Sequence, residues 1–187
     1  MEKIEYFSFE YRLSKEDYLN WFLFSANHSK TTINARRKNK IIVSVIYFSL
    51  LIFLLINYKD PYLFFLNLFI FLALLVIYFS LEKRKYIKHY KNFVDEKLTS
   101  RIGIPFWAEF KDDKLFGKEG NSESSIAFKD FSEINETENY IFVKIFETNC
   151  IILPKNIAEI QKIKTNLKFI SKEYNIPYQE ELNWKFK

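Results

Sequence analysis

The sequence predicts an α+β membrane protein, in which a two-helix transmembrane hairpin precedes a small antiparallel sheet domain closed by a C-terminal helix. Three observations support this fold class: two apolar runs at 41–58 and 61–81, short strand-forming runs from Trp107 onward, and a helical apolar stripe over 157–174. A bilayer core about 30 Å thick needs about 20 apolar residues at about 1.5 Å of rise each, so either run is long enough to cross it.

The 187 residues divide into four predicted segments. In order, they are an N-terminal strand and membrane-proximal helix (1–40), the transmembrane hairpin (41–81), a cytoplasmic helix extension (82–102) and the sheet domain (103–187). The alternative for the hairpin is a soluble protein with two buried apolar helices, but only about 145 residues remain to surround them. We therefore expect membrane insertion.

Basic residues flank the predicted hairpin on both sides. They are Arg36, Arg37, Lys38 and Lys40 before the first span, and Lys83, Arg84, Lys85 and Lys88 after the second. The connecting loop offers Lys59 against Asp60. Because the cytoplasmic flanks of membrane helices carry the excess of Lys and Arg, we expect both termini in the cytoplasm. The same basic residues are candidates for contact with anionic lipid headgroups, although topology explains their charge in full.

Strand-forming residues fill positions 3–13, directly before a helix. Ser14 and Asp17 have the spacing of a helix N-cap and its acidic partner. The helix is rich in aromatic residues near its start: Tyr18, Trp21, Phe22 and Phe24. Two interpretations stay open, an interfacial membrane helix or aromatic side chains that pack on the sheet domain. Because a lone strand is unstable in water, we expect residues 3–13 to pair with the strands after Trp107.

The helix after the second span is expected to continue to about Gly103, because apolar residues from Tyr86 to Leu98 recur at helical spacing. His89 lies in this stretch, and His28 lies in the first helix. Two histidines without Cys or carboxylate ligands at suitable spacing do not indicate a metal site. We expect both histidines at exposed helix positions.

Short runs at 107–118, 124–137, 140–148 and 150–155 predict the strands of the sheet domain. Adjacent Asp112 and Asp113 predict a hairpin turn within the first run rather than an acid–base pair. Cys150 is the single cysteine, so no intramolecular disulfide forms, and it is expected to behave as a small apolar strand residue. Lys155 follows Pro154 at the end of the last strand and is a candidate ligand contact, against the usual role of a lysine in solvation.

The chain lacks the residue patterns of an enzyme. The two histidines lie far from Cys150 in the sequence, and the three glycines do not form a phosphate-binding loop. The basic residues behind the net charge of +5 cluster beside the predicted membrane helices, which does not indicate nucleic-acid binding. We therefore expect no catalytic residues, cofactor, metal ion or nucleic acid.

The hairpin, the segment AFKDFSEINETENYIFV and the IILPK motif at Ile151–Lys155 together resemble the YcxB-like family. This bacterial group has two membrane helices and a C-terminal domain similar to pleckstrin-homology folds. The resemblance covers nearly the whole chain and rests on short structural motifs. It implies a pleckstrin-homology-like sheet domain at the bacterial cytoplasmic membrane, and it implies no particular activity.

Two functions of different class fit these features. In the first, the chain is a non-enzymatic inner-membrane protein that presents its sheet domain to a protein or lipid partner, for example through an exposed strand edge. In the second, it is a membrane-bound immunity or accessory protein that protects against a toxin acting at the membrane. The sequence does not determine the oligomeric state.

Overall fold

A computed structural model describes residues 4–57, 61–145 and 149–186 of the chain. Within these residues the α-helices are α1 (Lys15–His28), α2 (Lys30–Asn57), α3 (Pro61–Lys97) and α4 (Ile160–Glu173). The strands are β1 (Ser8–Arg12), β2 (Pro105–Lys111), β3 (Lys114–Glu119), β4 (Ser122–Ala127), β5 (Phe131–Thr137), β6 (Tyr140–Ile145), β7 (Asn149–Pro154) and β8 (Tyr178–Glu181). The predicted α+β class is confirmed. The predicted loop at Lys59 and Asp60, and positions 146–148 of a predicted strand, lie outside the described residues.

The strands form two four-stranded sheets. Sheet A has the order β1-β2-β3-β4 with antiparallel neighbours throughout, and sheet B has the order β7-β6-β5-β8. In sheet B only β8 runs parallel to its neighbour, β5. The predicted pairing of the N-terminal strand is confirmed, because Phe9 of β1 faces Ala108 of β2. The strand itself is shorter than the predicted 3–13.

The hydrophobic core fills the space between the two sheets and α4. Alternation in β1 places Phe9 and Tyr11 in the core and leaves the intervening polar residues exposed. The predicted apolar stripe of the last helix is confirmed, since Ile163, Leu167 and Ile170 of α4 are fully buried. Burial of these side chains ties the last helix to both sheets.

The first turn of α1 shows the predicted cap. The Asp17 amide donates to the Ser14 hydroxyl at 3.3 Å, and the Ser14 amide donates to the Asp17 carboxylate at 2.6 Å. For Trp21, the interpretation that the aromatic residues pack on the sheet domain is confirmed. Its ring lies 5.3 Å from the ring of Phe142, on the face of sheet B opposite the core.

The β2–β3 turn is the predicted hairpin turn at Asp112 and Asp113. Both residues have positive φ, 50° and 57°, as a two-residue type I′ turn requires. Gly117, the fourth residue of β3, leaves room for an aromatic ring. A Cβ at residue 117 would lie 2.8 Å from the Phe106 Cζ, so only glycine fits beneath this ring as it stands.

Several element boundaries differ from the predictions. The predicted strand 124–137 is two strands, because the chain turns at the fully buried Phe128 and passes from sheet A to sheet B. The first helix is interrupted at Ser29, whose hydroxyl accepts from the Thr32 amide at 3.3 Å and so caps α2. Helix α3 ends at Lys97, before the predicted end at Gly103. Strand β8 was not predicted.

The chain divides into two compact units. The sheet unit comprises Met1–Trp21 and Phe93–Lys185, and the helix unit comprises Phe22–Asn92 and Phe186–Lys187. These units divide the chain differently from the four predicted segments, whose bounds stay a prediction. Residues 22–92 of the helix unit are therefore inserted into the sequence of the sheet unit.

Within the helix unit, α2 and α3 lie antiparallel. Lys40 of α2 pairs with Glu82 of α3 at 3.3 Å, and Tyr47 meets Phe71 at a ring distance of 5.4 Å, so positions later in α2 contact positions earlier in α3. By length and composition, Tyr62–Lys97 is a helix that could cross a membrane, and none of its apolar window is buried. The first span of the predicted hairpin (41–58), and with it the hairpin as a whole, stays a prediction.

Candidate functional site

Lys155, the predicted ligand contact, lies in a cluster around a buried carboxylate. Its Nζ donates to Glu136 Oε1 at 2.7 Å, and Lys164 Nζ donates to the same oxygen at the same distance. The hydroxyl of Tyr178 donates to Glu136 Oε2 at 2.6 Å. The Glu136 side chain is only 1% exposed. We call these four residues the Glu136 cluster.

The electrostatics of the Glu136 cluster favour the charged carboxylate. Burial raises the pKa of Glu136, but the hydrogen bonds from Lys155, Lys164 and Tyr178 outweigh burial and lower the pKa to about 2. Burial and the neighbouring Glu136 charge raise the pKa of Tyr178, so its hydroxyl remains a donor. The cluster is a fully paired network rather than an acid or base poised near neutral pH.

Each member of the Glu136 cluster comes from a different element. Glu136 lies on β5, Lys155 directly follows β7, Lys164 lies on α4 and Tyr178 begins β8. The cluster thus joins three strands and the last helix at one end of sheet B. Of these four residues the sequence analysis singled out Lys155 alone. The sequence pattern that could have indicated a partner is Glu136, an acidic residue inside a strand-forming run. The Lys155 ammonium group contacts Glu136 rather than a ligand. A ligand role for Lys155 therefore stays a prediction.

An open groove of about 730 Å³ runs between the two sheets on the side where β4 and β7 form their edges. We call it the inter-sheet groove. Its lining residues from β4 are Ser122, Ser124, Ser125 and Ile126, and those from β7 are Asn149, Cys150 and Ile151. Phe106 and Ile145 add apolar surface, and Arg101, Ile104, Glu119 and Asp130 complete the lining.

The inter-sheet groove combines apolar surface with backbone that lacks a strand partner. Among the described strands, β4 pairs only with β3, and β7 pairs only with β6. Hydrogen bonds between the Arg101 guanidinium and the Glu119 carboxylate fix one part of the lining. Burial raises the pKa of the Cys150 thiol, which agrees with its predicted role as a small apolar residue.

The predicted basic residues of the helix unit fall into two sets. Arg36 and Lys40 face Glu82, with nitrogen–oxygen distances of 3.9 Å and 3.3 Å. The Arg36 guanidinium also stacks 5.0 Å from the Tyr86 ring centre. The remaining six are exposed: Arg37, Lys38, Lys83, Arg84, Lys85 and Lys88. The two sets thus differ in that Arg36 and Lys40 face a carboxylate, whereas the six others are exposed.

The two histidines also differ in environment. His89 is exposed as predicted, whereas His28 is half-buried, so the prediction of exposure is wrong for His28. Its ring stacks on Phe24 at 4.1 Å, and its Nδ1 lies 2.9 Å from the Phe24 carbonyl oxygen. Among the residues that the structure describes, no group of three or more His, Cys, Asp or Glu side chains could hold a metal ion.

A family model described as YcxB-like protein matches residues 110–166. This segment runs from the end of β2 into α4 and includes Glu136, Lys155 and Lys164. Searches of curated proteins and of solved structures find no significant match. The chain is therefore similar to the YcxB-like family over the central part of its sheet unit.

Proposed function

We propose that this chain is a non-enzymatic binding protein of the bacterial cytoplasmic membrane. In this proposal α2 and α3 form a two-span hairpin with both termini in the cytoplasm. The sheet unit, with a pleckstrin-homology-like fold, binds an extended segment of a protein partner in the inter-sheet groove. The observation that carries the binding function is the groove itself, between two edge strands that each have one edge without a described strand partner.

Exposed apolar side chains support the membrane part of the proposal. Ile56 of α2 is 74% exposed and Phe69 of α3 is 72% exposed, and Val45, Phe48 and Val76 are similar. So many exposed large apolar side chains on two neighbouring helices are rare on soluble monomers, because each one left in water forgoes about 1.5–3 kcal/mol of burial energy. A bilayer removes this cost along both helices.

Reporter fusions at either terminus and between Lys59 and Asp60 test the topology. Because the basic flanks favour the cytoplasm, we expect cytoplasmic signals from both termini and a periplasmic signal from the loop. A periplasmic signal from a terminal fusion would refute the orientation. The change Leu74→Lys, near the middle of the second span, should lower the membrane-inserted fraction, since a central lysine costs about 2.5–3.5 kcal/mol on insertion scales.

Strand addition is the binding mode that the inter-sheet groove supports. Strand β4 presents a six-residue edge, which is about 20 Å long at about 3.3 Å per residue. A partner peptide gains main-chain hydrogen bonds from such an edge, and alternate side chains enter the groove. Phe106, Ile126 and Ile145 supply the apolar surface for those side chains.

A photo-crosslinking residue at Ser125 tests this mode in the full chain in its native membrane. Ser132 is the matched control, because it is also an exposed serine on a strand but does not line the groove. We expect a probe at Ser125 to crosslink one partner segment at defined residues. In a second pair of variants the probe is at Ser122, and there the added change Ser125→Arg should abolish crosslinking to the same segment. Equal crosslinking from Ser125 and Ser132 would refute the groove as the binding site.

A further inference from the structure

A second groove lies in the helix unit, beside α3 at the end of its apolar stretch. Its volume is about 660 Å³. The lining residues are Asn39 of α2 and Tyr78, Leu81, Glu82, Arg84, Lys85, Tyr86, Lys88 and His89 of α3. We call it the basic groove. It is distinct from the inter-sheet groove, which belongs to the sheet unit.

Three cations of the basic groove converge within little more than one helical turn. Arg84 and Lys88, the outer two of the three, are four positions apart, or about 6 Å along the helix axis at about 1.5 Å per residue. No salt bridge within the described residues engages any of the three. Glu82 is the one carboxylate in the lining as described, and its charge already faces Arg36 and Lys40. The groove therefore keeps a surplus of positive charge.

The other end of the basic groove is apolar. Tyr78 and Leu81 lie about two turns and one turn before Lys85, on the same face of α3 as Lys85. Leu81 ends the apolar run that the proposed function places in the bilayer. The groove thus passes from apolar surface to cationic surface where a bilayer changes from acyl chains to headgroups.

We propose that the basic groove binds one anionic diacyl phospholipid. Arg84, Lys85 and Lys88 contact the headgroup phosphate, the Asn39 amide adds a hydrogen bond from α2, and Tyr78 and Leu81 contact the first part of the acyl chains. This site rests on the proposed membrane insertion and is independent of the partner of the sheet unit. A free inorganic phosphate would use the cations but leave the apolar end empty.

Native mass spectrometry of the full chain in a neutral detergent tests the site, with phosphatidylglycerol and phosphatidylcholine as probes. We compare the parent with Arg84→Gln/Lys85→Gln and with Arg37→Gln/Lys38→Gln. The second pair removes the same charge from exposed residues that do not line the groove. We expect the parent to prefer phosphatidylglycerol, and the groove variant to bind it about 30-fold more weakly, which is about 1 kcal/mol for each basic residue. The control variant should stay within about threefold of the parent, since screening weakens distant charges.

Three outcomes would overturn the site. Equal binding of the two lipids by the parent would remove the headgroup preference. Equal losses in both double variants would show a general effect of surface charge. Displacement of phosphatidylglycerol by inorganic phosphate at equal concentration would identify a phosphate site instead. Carbonate extraction of membranes is the separate test of insertion: release of the parent refutes the proposed function, whereas retention without lipid preference refutes this inference alone.

Discussion

Replacing Glu136 with Gln removes the one charge on which the Glu136 cluster depends. The variant keeps the size of the side chain but leaves the Lys155 and Lys164 ammonium groups, both 2.7 Å from one oxygen, without a carboxylate. The pKa of Glu136 falls from 4.5 to about 2, and each pKa unit corresponds to about 1.4 kcal/mol. At neutral pH we therefore expect Glu136→Gln to lower the free energy of unfolding by about 3 kcal/mol.

The sign of the pH dependence follows from the lowered pKa. The stabilisation from Glu136 is fully present above the unfolded pKa of about 4.5, and it is lost as the pH falls toward the folded pKa of about 2. The difference in unfolding free energy between parent and Glu136→Gln should therefore shrink over this window. Pulse proteolysis of the full chain in mild detergent, across a urea series at each pH, measures it.

Glu180→Gln is the matched control for this experiment. Glu180 pairs with Lys168 of α4 at the same 2.7 Å, but these two side chains are 46% and 44% exposed. An exposed pair contributes about 0.2–1 kcal/mol, so the control should lose far less stability. Equal losses in the two variants, or a Glu136→Gln deficit that persists at pH 2, would refute the reasoning.

Three further changes test the packing of the sheet unit, each by the same proteolysis assay. Phe9→Ala should cost about 3–5 kcal/mol, because it empties a core position of β1, and unchanged protease resistance would place this strand outside the core. Gly117→Ala should cost about 1–3 kcal/mol, because its Cβ displaces the Phe106 ring; an unaffected unfolding midpoint would contradict this close approach. Tyr140→Phe should cost about 1 kcal/mol at neutral pH, because the hydroxyl no longer donates to Asp17 at 2.9 Å. Burial and the Asp17 bond raise the pKa of Tyr140 to about 12, so the parent, unlike the variant, should lose this contribution between pH 10 and 12.

Local patterns in the sequence determine much of the fold. The Ser14 cap, the turn at Asp112 and the stripe through Leu167 each depend on residues a few positions apart, so spacing alone predicts them. That β1 joins the strands of the sheet domain was also predictable, because a lone strand must find a partner and both termini were expected on one side of the membrane; that the partner is β2 was not. These features need no knowledge of the tertiary structure.

The remaining features depend on tertiary contacts. The break between β4 and β5 follows from burial of Phe128 at the corner between the sheets, and spacing gives no sign of it. Strand β8 has mixed exposure and gains its partner only when α4 returns the chain to β5. Glu136 resembles a surface residue in sequence, and its burial is stable only because Lys164 and Tyr178 arrive from later elements.

The insertion of the helix unit between β1 and β2 has a consequence for biosynthesis. Residues 13–104 separate the two strands, and at about 5–20 residues per second β1 waits on the order of 5–20 s for its partner to emerge from the ribosome. In the proposed topology both spans enter the bilayer during that interval. Until then Phe9 and Tyr11 have no core to enter, and a chain that stops before β2 presents an apolar strand to proteases. Completion of sheet A therefore marks a chain whose membrane helices have already been made.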